Sequence, residues 1–348
     1  NFWGVFSLSV VILVGLFALL AYVIAPDNSS NANQMHLSIH SQSPGFKVDI
    51  LRLPNNSGLV DDQSMLLKFF FGQRSSDIEI PLSSYRLKGD ILYYKEYSNG
   101  VIELEEKQLK LSSTQAENLD ELIKERTFWF GTDKYGRDYL SRIVIGSRIS
   151  FSIGFVAVLI SLILGLLMGS VAGYYGGRWD AVIMWIINVT WSIPTLLLVI
   201  AITLALGKGF WQVFIAVGLT MWVEVARIVR GQIISAKEMQ YVTAARALGY
   251  RDFRIITKHI LPNNMRAIIV ICADNIAAAI LIESGLSFLG IGAQPPVASW
   301  GSMIRDHYNY IILGQPYLAI IPGLCIMVLV MAFMLMGNAL RDAFDVKT

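Results

Sequence analysis

Two acidic side chains stand alone in a long apolar stretch of this 348-residue chain. Between Ala267 and Ile304 the only charged residues are Asp274 and Glu283. A charge at the centre of a membrane costs roughly 2.5–3.5 kcal/mol on insertion scales, so such residues are functional candidates by default. They are nine positions apart, about two and a half helical turns, and a straight helix directs them to opposite sides. We therefore expect two separate sites, and Glu283 is equally well explained as a structural hydrogen-bond acceptor.

The motifs of enzyme chemistry are missing from the sequence. Its histidines are scattered, and no His, Cys, Asp or Glu grouping has metal-ligand spacing. Lys208 lies between two glycines, but the phosphate-binding pattern G-x-x-x-x-G-K-[ST] does not occur, nor do G-x-S-x-G and H-E-x-x-H. Cys272 and Cys325 lie in apolar stretches, where small buried hydrophobic residues are expected. The sequence predicts no catalytic residue, metal site or nucleotide site in this chain.

The elements that must position the two acids are membrane helices. Hydrophobic residues make up 54% of the chain and charged residues 16%, against about 25% charged in soluble domains. Since a helix needs roughly 20 apolar residues to cross a bilayer, the uncharged runs predict an all-α polytopic membrane protein. A net charge of +2 gives no reason to expect a nucleic-acid partner. The six predicted spans are Phe2–Ile24, Ile149–Gly173, Ala181–Leu206, Phe210–Val229, Ala267–Leu289 and Leu318–Gly337.

Basic residues in the short loops set the orientation. The loop Glu224–Arg266 carries eight basic residues and three acidic ones, so we expect it in the cytoplasm. Counting outward, both termini are then cytoplasmic and Asp27–Arg148 is outside. The first span is too long for the apolar region of a signal peptide. The chain starts at Asn1 without Met, and we expect residues upstream.

The outside segment is predicted to be a small mixed α/β insert. Phe46, Val48 and Ile50 alternate as in a half-buried strand, and Asn99-Gly100 between two apolar runs is typical of a hairpin turn. Further predictions are a capping box from Thr114 to Glu117 and a helix with the apolar stripe Leu119, Leu122 and Ile123. The expected organisation is a first membrane helix at 1–26, the insert with an anchoring segment at 27–148, and a five-helix core at 149–348 containing the loop 224–266.

Two helical faces suggest packing surfaces. Ala157, Ser161, Gly165, Gly169 and Gly173 recur every four residues and form a small-residue stripe, which lets helices approach closely in lipid. Packing within one bundle is favoured over contact with a second subunit.

The cytoplasmic loop contains a second such face. Tyr241, Ala244, Ala245 and Leu248 have i, i+3, i+4, i+7 spacing on a short helix, and Gly249 suits its end. Periodicity leaves two roles open for this face: a thin alanine knob that enters a partner's groove, or an amphipathic helix on the membrane surface.

This loop resembles the EAA motif of ABC-importer permeases, which forms the coupling helix that docks on an ATPase subunit. The matching features are two alanines, Gly249 four residues after the second, and Leu261-Pro262 beyond it. Thr243 and His259 stand where the motif has Glu and Ile. The resemblance implies an ATPase-coupling role for Tyr241, Ala244, Ala245, Arg246, Leu248 and Gly249.

Further segments are similar to the C-type subunit of oligopeptide, dipeptide and nickel permeases. Residues 131–138 resemble its GTDxxGRD segment, and the resemblance continues through Tyr174-Tyr175-Gly176-Gly177, Ser192-Ile193-Pro194 and Ser287–Gly290. The match runs from about Phe130 to Val346 and leaves the insert unexplained. We expect an external anchoring role for Gly131, Asp133, Gly136, Arg137 and Asp138, in preference to substrate contact.

The resemblance implies a permease subunit of an ATP-driven importer that catalyses no reaction itself. Expected partners are a second homologous permease subunit, two cytoplasmic ATPase subunits that bind ATP and Mg, an extracytoplasmic substrate-binding protein and membrane lipid. The expected location is the bacterial cytoplasmic (inner) membrane, and the cargo a peptide, followed by nickel complexes or peptide-like antibiotics. Trp191, Pro194, Asp274 and Glu283 are the candidates for the substrate path.

Two other classes of protein stay open. A secondary transporter or channel would work without nucleotide and carry its own ion-coupling or filter residues. A membrane-anchored scaffold would act through the insert, and transport that survived deletion of the insert would argue against it.

Overall fold

Apolar helices make up most of the described chain. The computed structural model describes residues 2–53, 64–73, 77–98, 105–112, 118–207 and 209–344. The long helices satisfy their backbone groups internally, as crossing a bilayer requires. The α-helices are α1 Phe2–Leu19, α2 Ala21–Ile24, α3 Met65–Phe71, α4 Leu119–Leu122, α5 Tyr139–Tyr175, α6 Gly177–Ser192, α7 Thr195–Leu206, α8 Phe210–Lys237, α9 Gln240–Ala247, α10 Asp252–Arg254, α11 Leu261–Asn263, α12 Met265–Phe288, α13 Trp300–His307 and α14 Tyr317–Phe344. A π-helix at Ile255–Ile260 joins α10 to α11, and 3-10 helices cover Ser30–Ala32, Leu37–Ile39 and Tyr308–Ile311.

Five of these helices, α1, α5, α8, α12 and α14, are long and apolar enough to span a membrane within the described residues. The third predicted span, Ala181–Leu206, is not one straight helix, because α6 and α7, which cover it, meet at an angle of 95°. Ile193 between them is extended. The cause is Pro194, which has no N–H for a helical hydrogen bond and disfavours helical geometry in the preceding residue. The bent pair is either a broken span or a re-entrant loop, so the part of the chain that the structure describes contains five or six candidate spans.

The small-residue stripe of α5 packs against α8, as predicted for packing within one bundle. A Cβ at Gly165 would lie 2.5 Å from Val225 Cβ, and a Cβ at Gly169 would lie 2.5 Å from the Ala226 carbonyl oxygen. Larger side chains would therefore push the two helices apart. This contact holds the centre of the bundle.

The insert contains a five-stranded antiparallel sheet in the order β4-β3-β2-β1-β5. Val48 and Ile50, predicted to face inward on the first strand, are buried. The core of the sheet is formed by Leu51, Leu82 and Leu92. The strands are β1 Phe46–Leu53, β2 Ile78–Lys88, β3 Ile91–Glu96, β4 Lys107–Lys110 and β5 Ile123–Phe128.

The other local predictions for the insert have mixed outcomes. Strands β3 and β4 pair with Tyr94 opposite Lys107, but the predicted turn at Asn99-Gly100 and the capping box from Thr114 to Glu117 lie outside the described residues. The predicted helical stripe is wrong at Ile123. Helix α4 ends one residue earlier, and Ile123 starts β5, pairs with Leu51 and is buried in the sheet core. Burial in the sheet outweighs local helical spacing here.

Candidate sites for coupling and translocation

The segment 131–138 holds the chain before the sheet against the start of α5. Gly136 has φ +72°, a conformation that favours glycine, and a Cβ there would lie 1.8 Å from the His36 carbonyl oxygen. At Gly131 the corresponding neighbour is the Gln42 carbonyl oxygen, at 2.1 Å. Both glycines are therefore needed for close approach of residues 36–42.

Buried charges complete this outer segment. Asp133 Oδ2 accepts from Arg137 Nε at 2.7 Å, and Asp133 Oδ1 accepts from the backbone N–H of Arg137 at 3.0 Å. Arg137 also donates to the Asn33 side-chain oxygen at 3.0 Å. Asp138 caps α5 by accepting from the Ser141 N–H at 2.8 Å. Burial raises the pKa of Asp138, while the Ser141 N–H and the Arg126 charge act in the opposite direction. All five residues predicted to anchor this segment thus lie within one buried turn.

Helix α9 and the residue after it expose Tyr241, Ala244 and Leu248 of the face that the spacing predicts, but Ala245 is buried. Ala245 is only 3% exposed and packs, with Val242, into the apolar cluster that includes Ile233. Leu248 is 70% exposed, and Tyr241 is also exposed. The prediction that Ala245 forms part of an outward knob is wrong, because the helix needs one face to bury against its own bundle. Ala244 and Arg246 are exposed, and Gly249, with φ +75°, follows the helix as predicted for its end.

Tyr174, near the end of α5, connects α9 and its neighbours to the bundle. Its hydroxyl donates to Asp252 Oδ1 at 2.8 Å, and its carbonyl oxygen accepts from Lys237 Nζ at 2.6 Å. The Arg246 guanidinium lies 5.4 Å from the Tyr174 ring centroid. We call these four residues the Tyr174 junction. In the sequence, Tyr174 stands out only as part of a family-like segment, and no spacing rule links it to partners more than 60 residues away.

A cavity lies at the break between α6 and α7. It has a volume of about 220 Å³ and is lined by residues that include Trp191, Thr220 and Glu224. The Arg227 guanidinium lies 3.8 Å from the Trp191 ring centroid. Pro194 immediately precedes α7 and produces the bend. Glu224 is the first residue of the predicted cytoplasmic loop, and it directly follows the uncharged run 209–223.

The two intramembrane acids lie in different surroundings, as their spacing predicts. Asp274 lines a separate cavity of about 440 Å³, and its Oδ2 is 3.3 Å from Arg341 Nη2. Glu283 is buried and accepts from Ser287 Oγ at 2.6 Å. Ser287 Oγ in turn accepts from Ser299 Oγ at 3.2 Å, and Ser299 caps α13. Glu283 therefore joins α12 to the start of α13. Within the described residues, no group of three or more His, Cys, Asp or Glu side chains is placed to hold a metal ion.

Comparison with known proteins places this architecture among transport proteins. Residues 142–347 match the family model described as binding-protein-dependent transport system inner membrane component. The dipeptide transport system permease protein DppC of Bacillus subtilis is 45% identical over 219 residues, covering 63% of this chain and 68% of that protein. The oligopeptide transport system permease protein OppC of the same organism is 39% identical, and the glutathione transport system permease protein GsiD of Pectobacterium atrosepticum 40%. Each of these two alignments covers 63% of this chain and 72% of the relative.

Proposed function

This chain belongs to the family of binding-protein-dependent transport system inner membrane components and is a permease subunit of an ABC importer, and we propose that its cargo is a short peptide. The three relatives named above are permeases for dipeptides, oligopeptides and glutathione, which is itself a small peptide. ATP hydrolysis in such importers belongs to partner subunits and not to the permease.

We propose that the exposed surface around α9 binds one of the ATPase subunits. The observation that carries this proposal is the contrast between Leu248, which projects an apolar side chain away from the bundle, and Ala245, which fixes the other face of the helix inside it. Phe253 adds a second exposed apolar side chain beyond the helix. The proposed partner surface consists of Leu248 and Phe253 together with Tyr241, Ala244 and Arg246. It lies on and next to a helix that is held against the bundle through Ala245.

The Tyr174 junction gives this surface a mechanical connection to the spans. A displacement of α9 would be transmitted through Asp252 and Arg246 to Tyr174 at the end of α5. Lys237 connects the end of α8 to the same residue. Because α5 and α8 pack closely along the small-residue stripe, they move as a unit. Closure of the ATPase pair on ATP would then tilt this unit and exchange inward-open and outward-open arrangements, an equilibrium biased by contacts in another subunit.

The peptide path is assigned to the face that carries the α6–α7 break. Trp191 is exposed there and Glu224 lines the same cavity, so the site offers an aromatic surface and a carboxylate. A carboxylate is the natural partner of a peptide amino group. A second permease subunit would close this face, and an external binding protein would deliver peptide from the side of the insert. Glu283, held by Ser287, has a structural role in this scheme, and Asp274 stays a weaker candidate because it pairs with Arg341.

Reconstitution tests the assignment. The chain would be co-expressed with its partner subunits and placed in liposomes with ATP on the side of loop 224–266, and uptake of a labelled dipeptide measured. Uptake that requires both ATP and the ATPases is expected. Transport by this chain alone without nucleotide would instead identify a secondary transporter or channel.

A further inference from the structure

Helix α3, at Met65–Phe71, is apolar at every position except Lys68 and exposes most of its apolar side chains. Met65 is 88% exposed, Leu66 71% and Phe71 64%, and none of the seven residues of the helix is buried. A concentrated apolar surface of this kind marks an interaction site.

The position of α3 is fixed by its attachments to two spans. Arg148 Nη1 donates to the Phe70 carbonyl oxygen at 2.6 Å. Arg148 is the last charged residue before the uncharged run 149–177. After α3, the Gln73 N–H donates to the Asn28 carbonyl oxygen at 2.9 Å, and a Cβ at Gly72 would lie 2.7 Å from the Tyr22 ring. Tyr22 and Asn28 flank Asp27, the first charge after the uncharged run 1–26.

Both attachments therefore occur where an apolar run meets a charged segment, which is where a span leaves the hydrocarbon. Helix α3 packs against α2, and Leu19, Val23 and Ile24, at the end of the first span, are exposed apolar residues beside it. Arg148 also lies over the Tyr22 ring, with its guanidinium 4.9 Å from the ring centroid. Cationic and aromatic side chains are enriched at this depth of a membrane.

We propose that α3 is an interfacial membrane helix that inserts its apolar side chains into the lipid leaflet on the side of the sheet. The occupant of this surface is lipid, because the surface continues the lipid-facing side of α1 and α2. The helix follows β1 and precedes β2, two neighbouring interior strands of the sheet, so the leaflet becomes a third attachment of the insert besides the first and second spans.

Fluorescence quenching in nanodiscs tests this proposal on the full chain. In a background with Cys272→Ala and Cys325→Ala, an environment-sensitive fluorophore is attached at Leu66→Cys, and at Phe71→Cys as a second position. Ser84→Cys, on the exposed part of β2, is the matched control. Interfacial helices bury their apolar face roughly 5–10 Å into the headgroup and acyl boundary, so phosphatidylcholine with a nitroxide near the headgroup should quench both α3 positions at least about twofold more than Ser84→Cys. Iodide in the buffer should show the reverse order.

Equal iodide quenching at the α3 and control positions would overturn the proposal by showing that α3 lies in water. Protection from both quenchers would overturn it in favour of a protein occupant. Hydrogen exchange of β1 in each labelled protein confirms that the sheet is folded, so that a failed variant is recognised.

Discussion

At the residue scale, Ala245 and Leu248 differ in exposure within one short helical segment. Ala245 is buried in the chain's own apolar cluster, and Leu248 faces away from it. We expect Leu248→Glu to leave stability within about 0.5 kcal/mol, as surface substitutions usually do. It should weaken ATPase binding at least about tenfold, or about 1.4 kcal/mol, because it places a charge in an apolar contact. Copurification and thermal unfolding measure both effects.

The matched variant for this prediction is Ala245→Glu. Its charge would be buried within the chain, so we expect a loss of folded protein and not a selective loss of docking. If Ala245→Glu were stable and Leu248→Glu kept full ATPase binding, the assignment of the two faces would be wrong.

Tyr174 offers a second residue-scale test, aimed at coupling. Tyr174→Phe removes the hydroxyl that donates to Asp252, which loosens the loop by about 1 kcal/mol, the usual net value of a hydrogen bond. Peptide transported per ATP hydrolysed should fall, while ATPase binding stays intact. Tyr175→Phe, at the exposed neighbouring position, is the control and should leave the ratio unchanged. An unaltered ratio in Tyr174→Phe would remove the junction from the mechanism.

Glu79 gives a pH-dependent prediction for the insert. Burial raises the pKa of its carboxyl, but the His36 hydrogen bond and the charges of Arg126 and Arg52 outweigh burial and lower the pKa below its ordinary value of 4.5. The native pairing therefore contributes stability above pH 4.5 that is lost as the pH falls through the lowered pKa. Glu79→Gln should destabilise the sheet at pH 7 by about 1–3 kcal/mol, the cost of an unsatisfied buried group.

Hydrogen exchange of β1 at each pH measures this effect. The variant should exchange faster than the parent chain at pH 7, and the difference should vanish in strong acid, where Glu79 is protonated. Glu125→Gln is the control, since Glu125 pairs with Lys47 on the surface and such pairs contribute at most about 1 kcal/mol. A difference that persisted in acid would mean that the charge of Glu79 is not the stabilising feature.

At the element scale, the packing of α5 on α8 depends on small residues. Gly169→Val should destabilise the bundle by about 1–3 kcal/mol, the range for overpacking, because the new side chain meets the Ala226 carbonyl and Val229. Gly231→Ala is the matched change on α8. It meets no atom within 4 Å and should gain up to about 1 kcal/mol from helix propensity. Thermal unfolding in detergent should separate the two variants, and equal stability would contradict the close packing.

Several elements follow from the sequence because their cause is local. Runs without charge predict the long helices, and alternation at Val48 and Ile50 predicts β1. The break at Pro194 has a local cause too, but the length of an uncharged run does not reveal a bend within it. The face of α9 was not predictable, because helical spacing does not say whether Ala245 packs on its own chain or on a partner. The Tyr174 junction depends on tertiary contacts that no local pattern records.

At the scale of the whole molecule, the proposed pathway and the proposed coupling surface both require partner subunits. The cavity at the α6–α7 break opens on a side of the chain where Trp191 is exposed, and α9 turns Leu248 outward. In the proposed function, one chain would therefore supply half of a path and one of the contacts through which ATP hydrolysis drives transport. This division is typical of a permease subunit and agrees with the absence of a nucleotide-binding pattern from the sequence.

The most direct test of the central claim is photo-crosslinking from Leu248 in native membranes. A photoreactive amino acid at Leu248 should crosslink to a nucleotide-hydrolysing subunit, and the same group at Phe2, on the exposed side of α1, should crosslink to lipid. A Leu248 probe that crosslinked to lipid alone would contradict the account.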